Sequence, residues 1–282
     1  MGKYLAQAAS PSVLNHAWRL LRNDRGHWSR GVPLAAIQGD AIRYVGELSR
    51  EMISGRYHAE TMRCFQAVKA DGGERTLCAS AIRDKLAQRA VLIALEPLGE
   101  ALFHDASFGY RPGCTVDMAL ALVREWVRRG WSWLADADIR ACFDSIPQYG
   151  ALNALQNLCG DRALVAITQQ WLEGVPPEFR PVDARRGLPQ GMVLSPFLCN
   201  LYLHQLDTAL ERQGVPFVRF ADDFVLLARS EDEAHDFLWV AEKALHSLDL
   251  ELHPDKTKVI RSDPRYRFLG KRLPDSHPRF RP

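Results

Sequence analysis

Long apolar runs are missing from this sequence. No stretch of about 18 apolar residues occurs, so a membrane span is not expected. The first ten residues also lack the basic-then-apolar order of a signal peptide, and a cytoplasmic location follows as the default. We therefore expect no membrane partner.

Paired cysteines are missing as well. The six cysteines are scattered along the chain, and no two of them are spaced as Cys-x-x-Cys. This spacing argues against a zinc site and against a disulfide scaffold. The pattern predicts six reduced thiols that pack mostly as small hydrophobic side chains.

A large net charge is the third absence. The formal charge is only +2 over 282 residues, so a nucleic-acid partner does not follow from the total. Residues 256–282 are locally basic, which suits a phosphate backbone, with a solvated basic tail as the alternative. The basic residues there are Lys256, Lys258, Arg261, Arg265, Arg267, Lys271, Arg272, Arg279 and Arg281, against Asp263 and Asp275.

The spacing of apolar residues predicts an α+β fold, with helices packed on a small antiparallel sheet. Helices are predicted over residues 40–54, 81–103, 116–129, 196–212 and 231–248, and mostly helical structure over 150–173. Strands are predicted over residues 131–139, 217–220 and 224–228, near 258 and near 268, with a hairpin over 65–77.

Two adjacent carboxylates, Asp222 and Asp223, interrupt a pair of short apolar strands. In a tight hairpin they would stand at the exposed tip of a sheet. Two ionised carboxylates side by side repel each other, so the pair is costly unless a cation neutralises it. An ordinary Asp-Asp turn is the alternative.

A second acidic pair, Asp136 and Asp138, lies on one face of a strand that is predicted to be buried. Packing explains such aspartates poorly, and an exposed strand end is the alternative. Together with the carboxylates of the hairpin they would form an oxygen-rich site for Mg²⁺. Asp136 itself could be a salt-bridge partner or a group that orients the metal ligands.

Three motifs stand in the order and spacing typical of reverse transcriptases, and the sequence resembles the group II intron branch of the bacterial enzymes. The resemblance covers roughly residues 15–270. The three motifs are DIRACFD at 138–144, LPQG at 188–191 followed by Ser195-Pro196, and FADD at 220–223. Further matches are SFGYRPG at 107–113, LHPDKT at 252–257 and FLG at 268–270, the last resembling a primer-gripping hairpin.

The resemblance implies a catalytic set of four residues. Asp138, Asp222 and Asp223 match the ligands of two Mg²⁺ ions, which Mn²⁺ could replace. Lys256 matches the lysine proposed as general acid for the leaving pyrophosphate, although it could equally be one more residue of the basic stretch.

The resemblance also implies a set of residues that bind the nucleotide. Phe143 matches the aromatic gate that excludes a 2′-hydroxyl, with a core aromatic as the alternative. Gln190 and Gly191 match the loop that contacts the incoming nucleotide and the template. Lys69 and Arg75 match the cations of the fingers that grip the triphosphate, with ordinary surface charge as the alternative.

A right-hand polymerase without a complete thumb is the implied architecture. We expect fingers over residues 1–115, a palm with interleaved fingers segments over 116–270, and a basic tail over 271–282. Phe220 stands where the family most often has Tyr, which preserves the ring. The thumb is expected to be absent or minimal, and this shortness resembles reverse transcriptases attached to CRISPR adaptation modules.

The expected function is RNA-directed DNA synthesis, with an RNA template, a DNA primer or cDNA strand, and deoxynucleoside triphosphates as partners. CRISPR integrase proteins would be further partners if the product serves spacer acquisition. The alternatives are a domain of an intron-encoded protein, a domesticated antiviral enzyme and a non-catalytic RNA-binding module. An RNA-templated RNA polymerase is a further alternative, but a small gate residue would then be expected in place of Phe143.

The gate assignment makes a prediction about sugar choice. Phe143→Ala should let ribonucleotides compete with deoxynucleotides, because the ring that would lie against the 2′ position is gone. Single-nucleotide incorporation with each sugar measures this. Unchanged discrimination would mean that Phe143 is only a packing residue.

Overall fold

The computed structural model describes residues 2–21, 24, 26–68, 72–181, 183, 185–263 and 265–273. Its α-helices are, in chain order, α1 Lys3–Ala8, α2 Pro11–Leu21, α3 Leu34–Gln38, α4 Ala41–Ser54, α5 Ile82–Leu102, α6 Val116–Arg128, α7 Cys142–Ser145, α8 Gln148–Cys159, α9 Arg162–Glu173, α10 Ser195–Arg212 and α11 Glu231–Ser247, with a 3₁₀ turn at Pro177–Phe179. Its strands are β1 His27–Ser29, β2 Val32–Pro33, β3 Arg63–Val68, β4 Glu74–Ala79, β5 Trp133–Asp138, β6 Phe217–Phe220, β7 Asp223–Ala228, β8 Lys258–Arg261, β9 Arg267–Phe268 and β10 Lys271–Arg272.

The chain divides into two compact units, each built from two segments. The first unit comprises residues 1–102 and 146–201, and the second comprises residues 103–145 and 202–282. Helix α10 therefore begins in the first unit and ends in the second. The fingers and palm boundaries predicted from the sequence remain predictions.

The first unit is organised around α5, which is buried along most of its length because apolar residues occupy nearly every turn. Helices α1, α2 and α8 pack against it. A buried polar network crosses this core: the Tyr57 hydroxyl donates to Oδ1 of Asp84 at 2.5 Å, and the Trp171 indole donates to the Tyr57 oxygen at 2.7 Å. The buried polar side-chain atoms of Tyr57, Asp84 and Trp171 thus have partners, as burial requires.

The hairpin β3–β4 corrects the prediction of six reduced thiols. Cys64 and Cys78 face each other in its antiparallel register and form a disulfide, with their Cα atoms 4.1 Å apart. The sequence did not indicate this pair, because the two cysteines are 14 positions apart and only the strand register places them opposite each other. The turn of this hairpin was predicted at residues 71–73: Gly72 has a positive φ of +85°, as such a turn requires, and Asp71 lies outside the described residues.

The second unit contains a four-stranded antiparallel sheet in the order β6-β7-β5-β8. One face carries a core with α6, in which Leu120 and Val123 pack with Leu134, Val225 and other apolar residues. Helix α11 contacts β5, β7 and β8. The central strand β5 is therefore hydrogen-bonded to a strand on each edge, which fixes the position of its C-terminal end.

The arrangement confirms the predicted α+β class and most of the predicted elements. The segment predicted as mostly helical over residues 150–173 is two helices, α8 and α9, because Gly160 adopts a left-handed φ of +63° at the end of the first. Residues 274–282 of the predicted basic tail lie outside the described residues. No helix in the described part of the chain combines the length and the apolar character that a membrane crossing requires.

Asp161 ties the N-terminus of the chain to α9. One carboxylate oxygen accepts from the backbone N–H groups of Tyr4 and Leu5, each at 2.9 Å, and the other caps α9 at Leu164 at 3.2 Å. The side chain is 2% exposed, so water cannot replace it. It satisfies the N-terminal donors of two helices at once.

Loss of this double cap should be costly. Asp161→Ala should lower the free energy of unfolding by about 2–3 kcal/mol, since three backbone donors lose their buried acceptor. Urea denaturation measures it. Ser230→Ala is the matched control, because Ser230 caps only α11 through Glu233 and is exposed. Equal losses in the two variants would contradict the double role.

Candidate metal and nucleotide site

The predicted metal ligands lie together at one end of the sheet in the second unit. Asp138 is the last residue of β5, and the register places it directly opposite Asp223, the first residue of β7. Ala221 and Asp222 form the two-residue turn between β6 and β7, since Phe220 pairs with Asp223. A tight turn of this kind needs positive φ, and Ala221 adopts +62°.

Burial and mutual repulsion act on these carboxylates. Burial, with the charge of Asp138, raises the pKa of Asp222. Burial together with Asp222, Asp138 and Asp136 raises the pKa of Asp223 to about 7. Raised carboxylate pKa values mean that the ionised forms lack sufficient compensation within the protein. A bound cation would supply it.

Lys256 supplies part of that compensation. Its Nζ lies 2.8 Å from Oδ2 of Asp138. The turn that carries it is held to the end of β5, because the His253 N–H donates to the Asp138 carbonyl at 2.8 Å and the Thr257 N–H donates to the His253 carbonyl. The predicted general acid therefore contacts one of the predicted metal ligands directly.

The side chains of these residues are of the kind that binds divalent cations, but their present arrangement does not form a metal-binding set. Carboxylate oxygens are the ligands that Mg²⁺ prefers, and the repelling carboxylates are stabilised by binding one. Among the described residues, no three acidic, histidine or cysteine side chains are gathered into a set that holds a metal as they stand. We expect metal binding to displace Lys256 from Asp138.

Asp136 has the salt-bridge role that the sequence left open. Lys258, its partner in the register of β5 and β8, approaches its carboxylate at 3.6 Å. Burial raises the pKa of Asp136, and the positive charge of Lys258 opposes this rise. The side chain thus adds negative charge beside the metal-ligand candidates and carries its own counter-ion.

A cavity of about 460 Å³ opens beside these residues within the second unit. Acidic side chains and the two lysines line one side, and the hairpin β9–β10 lines the other with residues 267–270. Leu269 and Gly270 form its two-residue turn at φ of +53° and +74°. The segment that resembles a primer-gripping hairpin is thus a hairpin, and it borders the carboxylates.

Phe143 lies on the short helix α7, just after Ala141 at a φ of +44°. Its ring meets the Tyr110 ring edge-on, with centroids 6.0 Å apart and an interplanar angle of 89°. Tyr110 also has a positive φ, +59°, and is 52% exposed. No role was predicted for Tyr110 from the sequence, although it lies inside the SFGYRPG match.

The predicted nucleotide loop belongs to the first unit and is joined to β4. The Cys78 N–H donates to the Gln190 carbonyl at 2.7 Å. Gly191 has a φ of +105°, and a Cβ there would lie 2.3 Å from the Cys78 carbonyl oxygen, so only glycine fits. Arg75, exposed on the same strand, pairs in register with Ala67. Lys69 lies outside the described residues.

The predicted residues therefore form two groups, one in each unit. The catalytic group is Asp138, Asp222, Asp223 and Lys256, with Phe143 held by Tyr110. The other group joins Gln190 and Gly191 to the strand that carries Arg75. Their roles in catalysis and nucleotide binding remain predictions.

The chain belongs to the reverse transcriptase family: the family model described as reverse transcriptase (RNA-dependent DNA polymerase) matches residues 67–273. Among its relatives is the group II intron-encoded protein LtrA of Lactococcus lactis subsp. cremoris, 23% identical over 329 residues. That match covers 92% of this chain and 54% of the relative, so the chain spans about half the length of the intron protein. The predicted resemblance to group II intron proteins is confirmed.

Two solved structures are similar to this chain. The Candida albicans telomerase complexed with a telomeric RNA fragment has a TM-score of 0.53 at 13% identity, covering 84% of this chain and 48% of that one, and shows a shared fold. A chain of a partial Cas6-RT-Cas1–Cas2 complex is 26% identical with a TM-score of 0.49, covering 86% of this chain and 40% of that one.

The raised pKa of Asp223 predicts how the metal-free protein responds to pH. Its pKa of about 7 in the folded protein lies above the ordinary aspartate value of 3.8, so folding favours the protonated form. The stability from protonation is complete below about pH 4 and is lost as the pH rises through 7. At pH 8 the ionised carboxylate destabilises the metal-free fold.

Protein surrounds the Asp223 carboxylate enough to desolvate it, but water still reaches and screens the side chain. Asp223→Asn should therefore stabilise the metal-free protein at pH 8 by about 1 kcal/mol, a value reduced for that screening. Little difference is expected at pH 4. Thermal unfolding in a chelator measures both. Asp117→Asn is the control, and it should destabilise the protein at pH 8. Lys271 lowers the pKa of Asp117, which means that folding stabilises its ionised form. A destabilised Asp223→Asn at pH 8 would contradict the electrostatic account.

Proposed function

We propose that this chain is an RNA-directed DNA polymerase that extends a DNA primer along an RNA template with deoxynucleoside triphosphates. The observation that carries the proposal is the placement of Asp138 opposite Asp223, with Asp222 in the adjoining turn and Lys256 on Asp138. Membership of the reverse transcriptase family supports the choice of template and product.

In this proposal Asp138, Asp222 and Asp223 hold two Mg²⁺ ions, which Mn²⁺ could replace. When bound, such ions activate the primer 3′-hydroxyl and stabilise the leaving pyrophosphate. The three carboxylates would bind and orient the ions, and the positive charge of the ions would relieve the repulsion among the carboxylates. Lys256 holds a proton on Nζ that it can donate to the pyrophosphate as it leaves.

The remaining predicted residues select and hold the nucleotide. The Phe143 ring excludes a 2′-hydroxyl and so favours deoxynucleotides, and Tyr110 supports that ring from its edge. Arg75 and Lys69 bind the triphosphate through charge. Gln190 and Gly191 contact the nucleotide and the template from a loop that β4 holds by a backbone hydrogen bond.

The biological setting is the finer part of the proposal. The sequence resemblance to reverse transcriptases attached to CRISPR adaptation modules favours cDNA synthesis for spacer acquisition, and hence antiviral defence in the cytoplasm with integrase proteins as partners. The alternative is the reverse transcriptase domain of an intron-encoded protein, which the similarity to LtrA supports. Spacer acquisition from a transcribed, intron-interrupted marker gene distinguishes the two, because spliced spacers require an RNA template.

Removing a metal ligand should abolish synthesis and leave the fold intact. Asp222→Ala or Asp223→Ala should reduce primer extension by about 10³-fold or more. Neither should unfold the protein, because each removes a repelling carboxylate. Extension on an RNA template measures activity, and a thermal melt checks the fold.

Asp117→Ala is the matched control, since this exposed carboxylate pairs only with Lys271 among the contacts described for it. It should extend primers like the original chain. Ordinary turnover in the Asp222 or Asp223 variant would overturn the assignment. Efficient extension with ribonucleotides in place of deoxynucleotides would favour an RNA polymerase, and no extension at all by the original chain would favour a non-catalytic RNA-binding module.

A further inference from the structure

A fully buried ion pair lies directly behind the turn that carries Asp222. Arg219, on β6, and Asp207, on α10, are both 0% exposed. The guanidinium binds the carboxylate with two parallel bonds, Nε to Oδ1 at 2.7 Å and Nη2 to Oδ2 at 2.5 Å. Such a fork fixes both the position and the plane of the guanidinium.

The third nitrogen of Arg219 acts on the turn itself. Nη1 donates to the Ala221 carbonyl oxygen at 2.9 Å. Ala221 has the left-handed φ of +62°, a conformation that is unfavourable for an alanine. The bond therefore holds the peptide unit between Ala221 and Asp222 in an orientation that the turn would otherwise adopt less readily.

The opposite side of the same turn is also confined. The Arg219 N–H donates to the Ala106 carbonyl at 2.8 Å, and the Phe108 N–H donates to the Arg219 carbonyl at 2.9 Å. Gly109 follows so closely that a Cβ there would lie 2.2 Å from the Ala221 nitrogen. The backbone of Ala221 is thus enclosed between the glycine on one side and the Arg219 side chain on the other.

We infer that Asp207 and Arg219 are positioning residues for the reaction: the ion pair aims the Ala221–Asp222 peptide so that Asp222 and Asp223 present their carboxylates to divalent cations. Neither residue touches substrate. The inference rests on the proposed function, because it assumes that these two aspartates bind the metals. It assigns a positioning role to a buried arginine whose positive charge also lowers the pKa of Asp222.

The competing explanation is that the ion pair only stabilises the fold. The energetics of buried charges allow an experiment to separate this explanation from a positioning role. Removing one partner leaves an uncompensated buried charge and is strongly destabilising, so a single variant would not be informative. Replacing both partners with apolar residues of similar volume is often neutral or stabilising. The double variant Asp207→Leu/Arg219→Met should therefore keep the fold while removing the ion pair and, with it, the bond to Ala221.

The experiment measures metal binding apart from activity. Mn²⁺ is titrated into the metal-free protein, without nucleic acid, and the bound ion is followed by electron paramagnetic resonance. The double variant should bind Mn²⁺ about fivefold or more weakly, and extend primers about 10–100-fold more slowly, as a displaced ligand predicts. Its melting temperature should equal or exceed that of the original chain.

Asp84→Asn is the matched control for loss of a buried carboxylate. Asp84 is 1% exposed and bound to Tyr57 and to the Glu60 N–H in the first unit. This variant should lower the melting temperature and leave Mn²⁺ affinity unchanged. If the double variant fails to fold, Arg219→Lys decides, since a lysine can pair with Asp207 or reach Ala221 but cannot form the fork and the third bond together.

The outcomes separate the two proposals. A folded variant with the original Mn²⁺ affinity overturns the positioning role, whether or not its turnover changes. Weakened Mn²⁺ binding with the fold retained supports it. If the original chain neither extends primers nor binds Mn²⁺ in a way that Asp222→Ala removes, the proposed function itself has failed, and the inference with it.

Discussion

Repulsion among clustered carboxylates is the constraint on which the second unit depends. Asp136, Asp138, Asp222 and Asp223 lie at one end of a single sheet, and burial makes their charges harder to screen. An unsupported turn would swing its two aspartates apart. The sheet prevents this through the central position of β5, which pairs with a strand on each edge. Lys256 and Lys258 on the neighbouring segment oppose the charge without removing it.

In the first unit, the predicted nucleotide-binding residues are held in place by close backbone contacts rather than by charged groups. The loop with Gln190 and Gly191 approaches β4 so closely that a side chain at Gly191 has no room. The same strand is linked to β3 through Cys64 and Cys78. A backbone hydrogen bond therefore joins the proposed nucleotide loop to the strand that carries Arg75. In both units, glycine permits the close approach: Gly191 at the loop and Gly109 at the aspartate turn.

Much of the fold could be predicted because the sequence alternates clearly between helical and strand periodicity. Helices α4, α5, α6 and α11 lie within a residue or two of their predicted bounds, and the strands around Asp222 were placed correctly. The N-terminal helices α1 and α2 were not predicted. Helix α2 did carry a signal, because Pro11 begins it and Leu14, Ala17 and Leu21 lie buried at helical spacing. Helix α1 is only six residues long, and part of its stability comes from a distant contact, the Asp161 carboxylate that accepts from its first turn.

The sequence by itself determined which residues are candidates for the site. Asp138, Asp222 and Asp223 were singled out by residue type, pattern and family resemblance, and Lys256 by the resemblance, because metal and phosphate chemistry needs carboxylate and ammonium groups. Only the tertiary structure decided which residues of different elements pair with each other. The pairing of Cys64 with Cys78 and the fork of Arg219 on Asp207 depend on register and on contacts between residues on different elements. Such contacts leave no periodic trace in a single sequence, because what matters is where each side chain lies in three dimensions.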